Sequence, residues 1–145
     1  MSYSFQNPSA EVIESYLKSA KTIAIVGLSH RKEAASYQVA HFLQAAGYRI
    51  IPVNPKLEGQ ELLGEHVYAY LKDIPFSIDI VDVFRRSEFL PDVAYDFLET
   101  DAKVFWSQIG LENEEAETIL RQANRQDIVC LLYTSPSPRD MRRSR

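Results

Sequence analysis

The chain of 145 residues is poor in several residue types, and each shortage removes a class of function. It holds a single cysteine, Cys130, so a disulfide framework and cysteine-rich metal sites are excluded. Its three histidines, His30, His41 and His66, fall on a loop, a helix and a connection, without metal-ligand spacing among them. Apolar runs are short, none approaching the roughly 20 residues that a membrane helix needs. The opening "MSYSFQNPSAEV" lacks the basic stretch and apolar run of a signal peptide. A soluble, cytoplasmic protein is expected. No Ser/His/Asp or G-x-S-x-G arrangement is present, and no internal repeat.

The final stretch, "CLLYTSPSPRDMRRSR", is read separately. Back-translated, it resembles the adapter of transposon-based sequencing libraries. The expectation is a domain over residues 1–129, with 130–145 a non-native tail in place of the natural ending. That tail carries four arginines and one aspartate, net +3, so the rest of the chain is near −7 against −4 for the whole. An acidic body speaks against binding to nucleic acid or to an anionic membrane. With Cys130 set aside, thiol catalysis is excluded too. About 129 residues suit one domain with one real core.

What is present alternates between two periods. Asn7 before Pro8 reads as a helix N-cap, followed by a stripe of Val12, Ile13, Tyr16, Leu17 and Ala20. "TIAIVG" is a β-branched apolar run bounded by glycine, as expected of a strand covered on both faces. Ser36 is placed to cap a second helix, with Val39, Ala40, Phe42, Leu43 and Ala46 inward and Gly47 at its end. "YRIIPVNP" is a second strand in which Pro52 predicts interrupted pairing. From Lys56 to Pro75 the apolar residues keep no clean period, so a connection with short helical turns is expected. "IDIVDVF" and "AKVFW" are the third and fourth strands, each followed by a helix, one over 91–100 and one with Glu112, Glu114 and Glu115 at its start and Arg121 and Arg125 at its end. "DIV" opens a fifth. Strands alternating with helices give an α/β fold, a Rossmann-like doubly wound parallel sheet of about five strands in a single domain. Ligands of such sheets sit outside the carboxyl ends of the strands.

Four strand ends carry candidate chemistry. After the first come Gly27, Leu28, Ser29, Arg31 and Lys32: a glycine permitting close backbone approach, a hydroxyl, and two cations beside a helix N-terminus. They suit a phosphate, or the glycine is an ordinary turn. A dinucleotide is disfavoured, because G-x-G-x-x-G is absent and Asn54 stands where an acid would hold the ribose. After the second strand, Asn54, Pro55 and Lys56 are either a proline turn or part of a site. Arg85 and Arg86 follow the third and precede a short helical turn, where cations are disfavoured unless an anion is present or Glu88 or Asp92 pairs with them. Trp106 and Gln108 follow the fourth, Trp106 being core or a ligand platform. Cationic, amide and aromatic groups converging on an acidic background suit a phosphorylated adenine nucleotide.

With these stretches assembled, the chain resembles the small stand-alone coenzyme A-binding proteins, relatives of the CoA-binding domain in the succinyl-CoA synthetase alpha subunit. The resemblance runs in order through "IAIVGLS", "SYQVAHFLQAAGYRIIPVNPK", "LLGE", "DIVDVFRRSE", "AKVFWSQIG" and "NEEA", covering roughly 11–129. It implies a Rossmann-like domain that binds CoA at the strand carboxyl ends. Phosphate contacts would come from Gly27, Leu28 and Ser29, further contacts from Asn54, Pro55 and Lys56, and the nucleotide would be lined by Phe84, Arg85 and Arg86. One departure is Ala34 and Ala35 where many members have Arg-Pro, so that one cation of the family pattern is either missing or replaced by Arg31 or Lys32.

No catalytic or metal-binding residue is expected. Asp79 and Asp82, in or beside the third strand, are either a buried acid pair or acceptors for nearby backbone N–H groups. The synthetases need a second domain with a phosphorylatable histidine, for which this chain has no room. The reading is therefore a non-catalytic module binding CoA or acyl-CoA, with an acyl-CoA enzyme as a conceivable partner. The alternatives are a small NAD(P)- or acyl-CoA-using enzyme and an interaction domain with an idle nucleotide site. Composition leaves the oligomeric state open, with Tyr3 and Phe5 as candidate interface residues.

Overall fold

The apolar runs become parallel strands because both faces of each are covered. In the computed structural model, which describes residues 5–108 and 113–130, β1 (Thr22–Val26), β2 (Arg49–Val53), β5 (Ile80–Val83), β6 (Val104–Ser107) and β7 (Ile128–Cys130) form one sheet in the order β2-β1-β5-β6-β7. All four pairings are parallel. A two-stranded antiparallel ribbon, β3 (Glu61–Leu62) with β4 (Glu65–His66), interrupts the connection between β2 and β5. The ends of the expected strands shift by a residue or two, and Cys130, set aside with the tail, closes β7. Tyr3, Glu112 and residues 131–145 lie outside the described residues.

Successive residues of each strand alternate between two apolar layers. Ala24, Val26, Val81, Val83, Phe105 and Ile128 pack under α3 (Leu90–Leu98) and α4 (Glu114–Gln122). Ile23, Ile25, Ile80, Val104, Trp106 and Val129 pack under α1 (Ala10–Ser19) and α2 (Ala35–Ala45). Helices on both faces make the sheet doubly wound. Among the described residues no helix is long and apolar enough to cross a membrane.

Three local expectations are corrected. Pro52 does not interrupt β2, which pairs with β1 throughout from Arg49 to Val53. Arg49 N–H donates to Lys21 O and Gly27 N–H to Val53 O, so the odd-numbered residues face β1 and Pro52 faces away from it. A missing N–H costs nothing there, and its carbonyl accepts from Tyr68 N–H at 3.0 Å. The second helix starts two residues early, with Ala34 as an N-cap lacking a side-chain bond, and Ser36 lies in its first turn with its hydroxyl accepting from Ser29 N–H. The first helix is capped by Ser9, not Asn7.

Asn7 closes the far edge of the sheet instead. Its carboxamide donates to Cys130 O at 3.0 Å and accepts from Cys130 N–H at 2.8 Å. One side chain thus satisfies both outward groups of that residue, as a neighbouring strand would. Both bonds go to backbone, so they hold whichever residue occupies position 130.

Candidate functional site

The strand order places a crevice before any side chain is considered. From β1 the chain moves to β2 on one side and returns to β5 on the other, so the carboxyl ends of β1 and β5 diverge at a topological switch point. A cleft of about 600 Å³ opens there, lined by Gly27, Asn54, Pro55, Lys56, Phe84, Arg85, Arg86 and Phe89. Three strand ends contribute to it.

Gly27 is dictated by the backbones around it. It adopts φ +87°, and a Cβ there would lie 2.8 Å from Phe84 O and 3.3 Å from the Cδ of Arg85. Phe84 N–H donates to Val26 O and Gly27 N–H to Val53 O, each at 2.8 Å, which draws the ends of β1, β2 and β5 together. Only a residue without a side chain lets the three ends meet.

The loop after Gly27 is pinned at two further points. Asn54 Nδ2 donates to Leu28 O at 3.0 Å, and Ser36 Oγ accepts from Ser29 N–H at 3.0 Å. Asn54 Oδ1 accepts from Lys56 N–H, capping the single helical turn Pro55–Leu57. Asn54 is therefore a tie between two loops, its amide groups spent on backbone. The Ser29 hydroxyl accepts from Arg31 N–H. Of the three loop amides, those of Gly27 and Ser29 have protein acceptors, while Leu28 N–H has none among the described residues.

Cations without a carboxylate partner are scattered over the surface, as at Lys21, Lys32, Lys72 and Arg125, but three of them, Lys56, Arg85 and Arg86, gather in the cleft. Arg31, Arg49, Lys103 and Arg121 each pair with a carboxylate. Among the described residues no carboxylate pairs with Lys56, Arg85 or Arg86, so of the two alternatives for the arginines the pairing with Glu88 or Asp92 is not formed. Arg86 caps a one-turn helix, Ser87–Phe89, where a cation meets the positive end of the backbone dipole. The Arg85 guanidinium lies over the Phe89 ring, 4.5 Å from its centroid. Three unpaired cations in one concavity, on a chain of net charge −4, suit a polyanion.

The structure thus brings seven of the residues singled out in the sequence to one cleft: Gly27, Asn54, Pro55, Lys56, Phe84, Arg85 and Arg86. Leu28 and Ser29 form its adjoining loop, Leu28 with its side chain buried. Arg31 and Lys32 are exposed and do not line it, Arg31 pairing with Glu33. Trp106 and Gln108 are buried away from it. Trp106 belongs to the layer under α1 and α2. Gln108 donates to Asp82 Oδ1 at 2.6 Å. Burial pushes the Asp82 carboxyl up to about 7, against the opposing pull of the Gln108 bond. Asp79 lies at the other end of the sheet and forms no pair with Asp82. Burial works against its ionisation, but bonds from Lys21 N–H, Thr22 N–H and Lys103 hold its carboxyl below the usual range.

Phe89 and the tie made by Ser36 escaped the sequence reading. Phe89 stands four residues beyond Arg85, where an aromatic looks like the first core residue of the next helix. Ser36 looks like a cap. The spacing of Arg85 and Phe89 across one helical turn was the available signal. Among the described residues no group of acidic, histidine and cysteine side chains could hold a metal ion.

A parallel sheet with a cationic cleft at its switch point defines a nucleotide-binding α/β class. Within that class, the CoA binding domain family matches residues 21–135, and the chain belongs to it. It is 52% identical over 126 residues to YneT of Bacillus subtilis, covering 87% of this chain and 92% of that one. A hypothetical protein from Pyrococcus horikoshii superposes with a TM-score of 0.81 at 31% identity, over 90% of this chain and 92% of that one. The Thermus thermophilus protein cell-free ID.343 gives 0.78 at 33%, over 86% and 90%.

Proposed function

We propose that the chain binds coenzyme A or an acyl-CoA in the switch-point cleft, without catalysing a reaction on it. The observation that carries this reading is the set of unpaired cations, Lys56, Arg85 and Arg86, around a glycine-floored opening of about 600 Å³. CoA brings a diphosphate, a ribose phosphate and an adenine, and these cations with Phe84 and Phe89 offer charge and aromatic surface to match. The N–H of Leu28, directed by the Asn54 and Ser36 ties, adds a backbone donor beside the phosphates.

Among the residues lining the cleft, only the Lys56 amine could carry a proton or act as a nucleophile. The lining holds no histidine, carboxylate, serine or thiol. Asp82 is sealed from it among Leu17, Ile23, Leu43, Ile80 and Trp106. A carrier, sensor or subunit role fits this lining, with an acyl-CoA enzyme as the fitting partner. Asn54 also fits CoA better than a nicotinamide dinucleotide, because its side chain is committed to Leu28 and Lys56 and leaves no acid for the ribose.

A thermal-shift titration against CoA, 3′-dephospho-CoA, NAD and ATP tests the reading. CoA at 100 times its dissociation constant is expected to add about 2.7 kcal/mol to unfolding, and NAD none. A response to NAD alone, or turnover of a thioester, contradicts it.

A further inference from the structure

We propose that the stacked pair of Arg85 and Phe89 is the platform for the planar base of the nucleotide, and so the element that makes the cleft selective for the adenine end of its ligand. The inference rests on the reading that this cleft binds CoA, and adds which residues recognise which part of it.

Other cations also lie over rings, Arg49 on Phe76 and Arg125 on Phe97 among them, but of these contacts only that of Arg85 on Phe89 lies in the cleft. The Phe89 ring lies on the cleft wall with the Arg85 guanidinium over it, 4.5 Å from the centroid, and both residues are half-buried. Arg85 reaches that position by laying its stem across Gly27, whose missing Cβ leaves room for the Cδ. A guanidinium is planar and weakly hydrated, and stacks on π systems through both of its faces. Phe89 takes one face. The other is the face assigned to the base, whose larger ring system would overlap it in part. No carboxylate among the described residues ties the guanidinium edge-on, so the ring alone orients it. Lys56, after β2, and Arg86, after β5, line the same cleft without stacking on a ring among the described residues, and are left to meet phosphates through their charge. The division separates base recognition from charge neutralisation within one opening.

The test compares fragments of the ligand on variants of Phe89, read by calorimetric titration. Wild type is titrated with CoA, adenosine 3′,5′-bisphosphate and 4′-phosphopantetheine. Phe89→Leu removes the ring and keeps the apolar bulk, and Phe89→Trp keeps a stacking face, which guards against a trivial packing defect. The expected result is about tenfold weaker binding of CoA and of the bisphosphate by Phe89→Leu, unchanged phosphopantetheine, and full affinity in Phe89→Trp. Equal weakening of phosphopantetheine, or CoA affinity within twofold of wild type in Phe89→Leu, overturns the platform while leaving CoA binding intact. If wild type itself takes up no CoA, the functional reading and the platform fall together.

Discussion

The carboxyl edge of the sheet has two halves of contrasting character. Where β1, β2 and β5 end, a glycine holds three strands close, the loops are tied by Asn54 and Ser36, and three cations face an opening without partners. Where β6 and β7 end, Trp106, Ser107, Gln108 and Cys130 are buried, Gln108 bonds to Asp82, and Asn7 covers the outer backbone. Both halves are built from similar apolar strands. The difference comes from strand order, because adjacent connections diverge only between β1 and β5. Proximity to a strand end is not sufficient for a site; the chain must also leave in two directions.

The contrast can be broken most severely at Gly27. Gly27→Ala introduces a Cβ against Phe84 O in a left-handed conformation, and is expected to cost about 3 kcal/mol of stability, measured by urea denaturation. The paired change Arg85→Ala with Arg86→Ala should do the reverse. Neither residue has an ion pair to lose and only the stack of Arg85 on Phe89 is given up, so stability falls by no more than about 1 kcal/mol while CoA affinity falls about 100-fold, from two charge-assisted contacts. Calorimetry and melting on the same sample separate the two effects.

Asp82 of β5, buried and bonded by Gln108 of the closed half, sets a dependence on pH. Its folded carboxyl titrates near 7 and its unfolded one near 3.9, so between those values the folded chain holds a proton that the unfolded chain has lost. Stability from this group is full below about 4 and declines as pH rises toward 7, by at most about 1.4 kcal/mol per pH unit. Asp82→Asn keeps an acceptor for Gln108 and should flatten that decline in melts from pH 4 to 8. An unchanged slope in the variant would assign the dependence to other groups. The smallest effect is expected at the sheet edge. Asn7→Ala removes two bonds to Cys130 and should cost about 1 kcal/mol. Faster hydrogen exchange of the residue 130 amide, with no change in CoA affinity, is the accompanying readout.

Much of this was legible in the sequence because the strands are buried on both faces and read as continuous apolar runs. "TIAIVG" and "IDIVDVF" announce themselves, and the residues that follow them reach the cleft. What stayed hidden depends on contacts distant in sequence. Asn7 looks like a cap until β7 is placed 123 residues away. Pro52 looks disruptive until β2 is known to be an edge strand whose even-numbered residues face away from β1. Trp106 looks available because it closes an apolar run, yet alternation along β6 turns it under α1 and α2. Phe89 is the converse, an aromatic with core spacing that the Arg86 turn brings out beside Arg85.

The most direct test of the division between the two halves is a titration of isotope-labelled protein with CoA, followed by amide chemical shifts. The account predicts progressive shifts at Gly27, Leu28, Lys56, Arg85, Arg86 and Phe89, with Trp106, Val129 and Cys130 unmoved. Shifts concentrated at the ends of β6 and β7, with the switch-point residues silent, would contradict it.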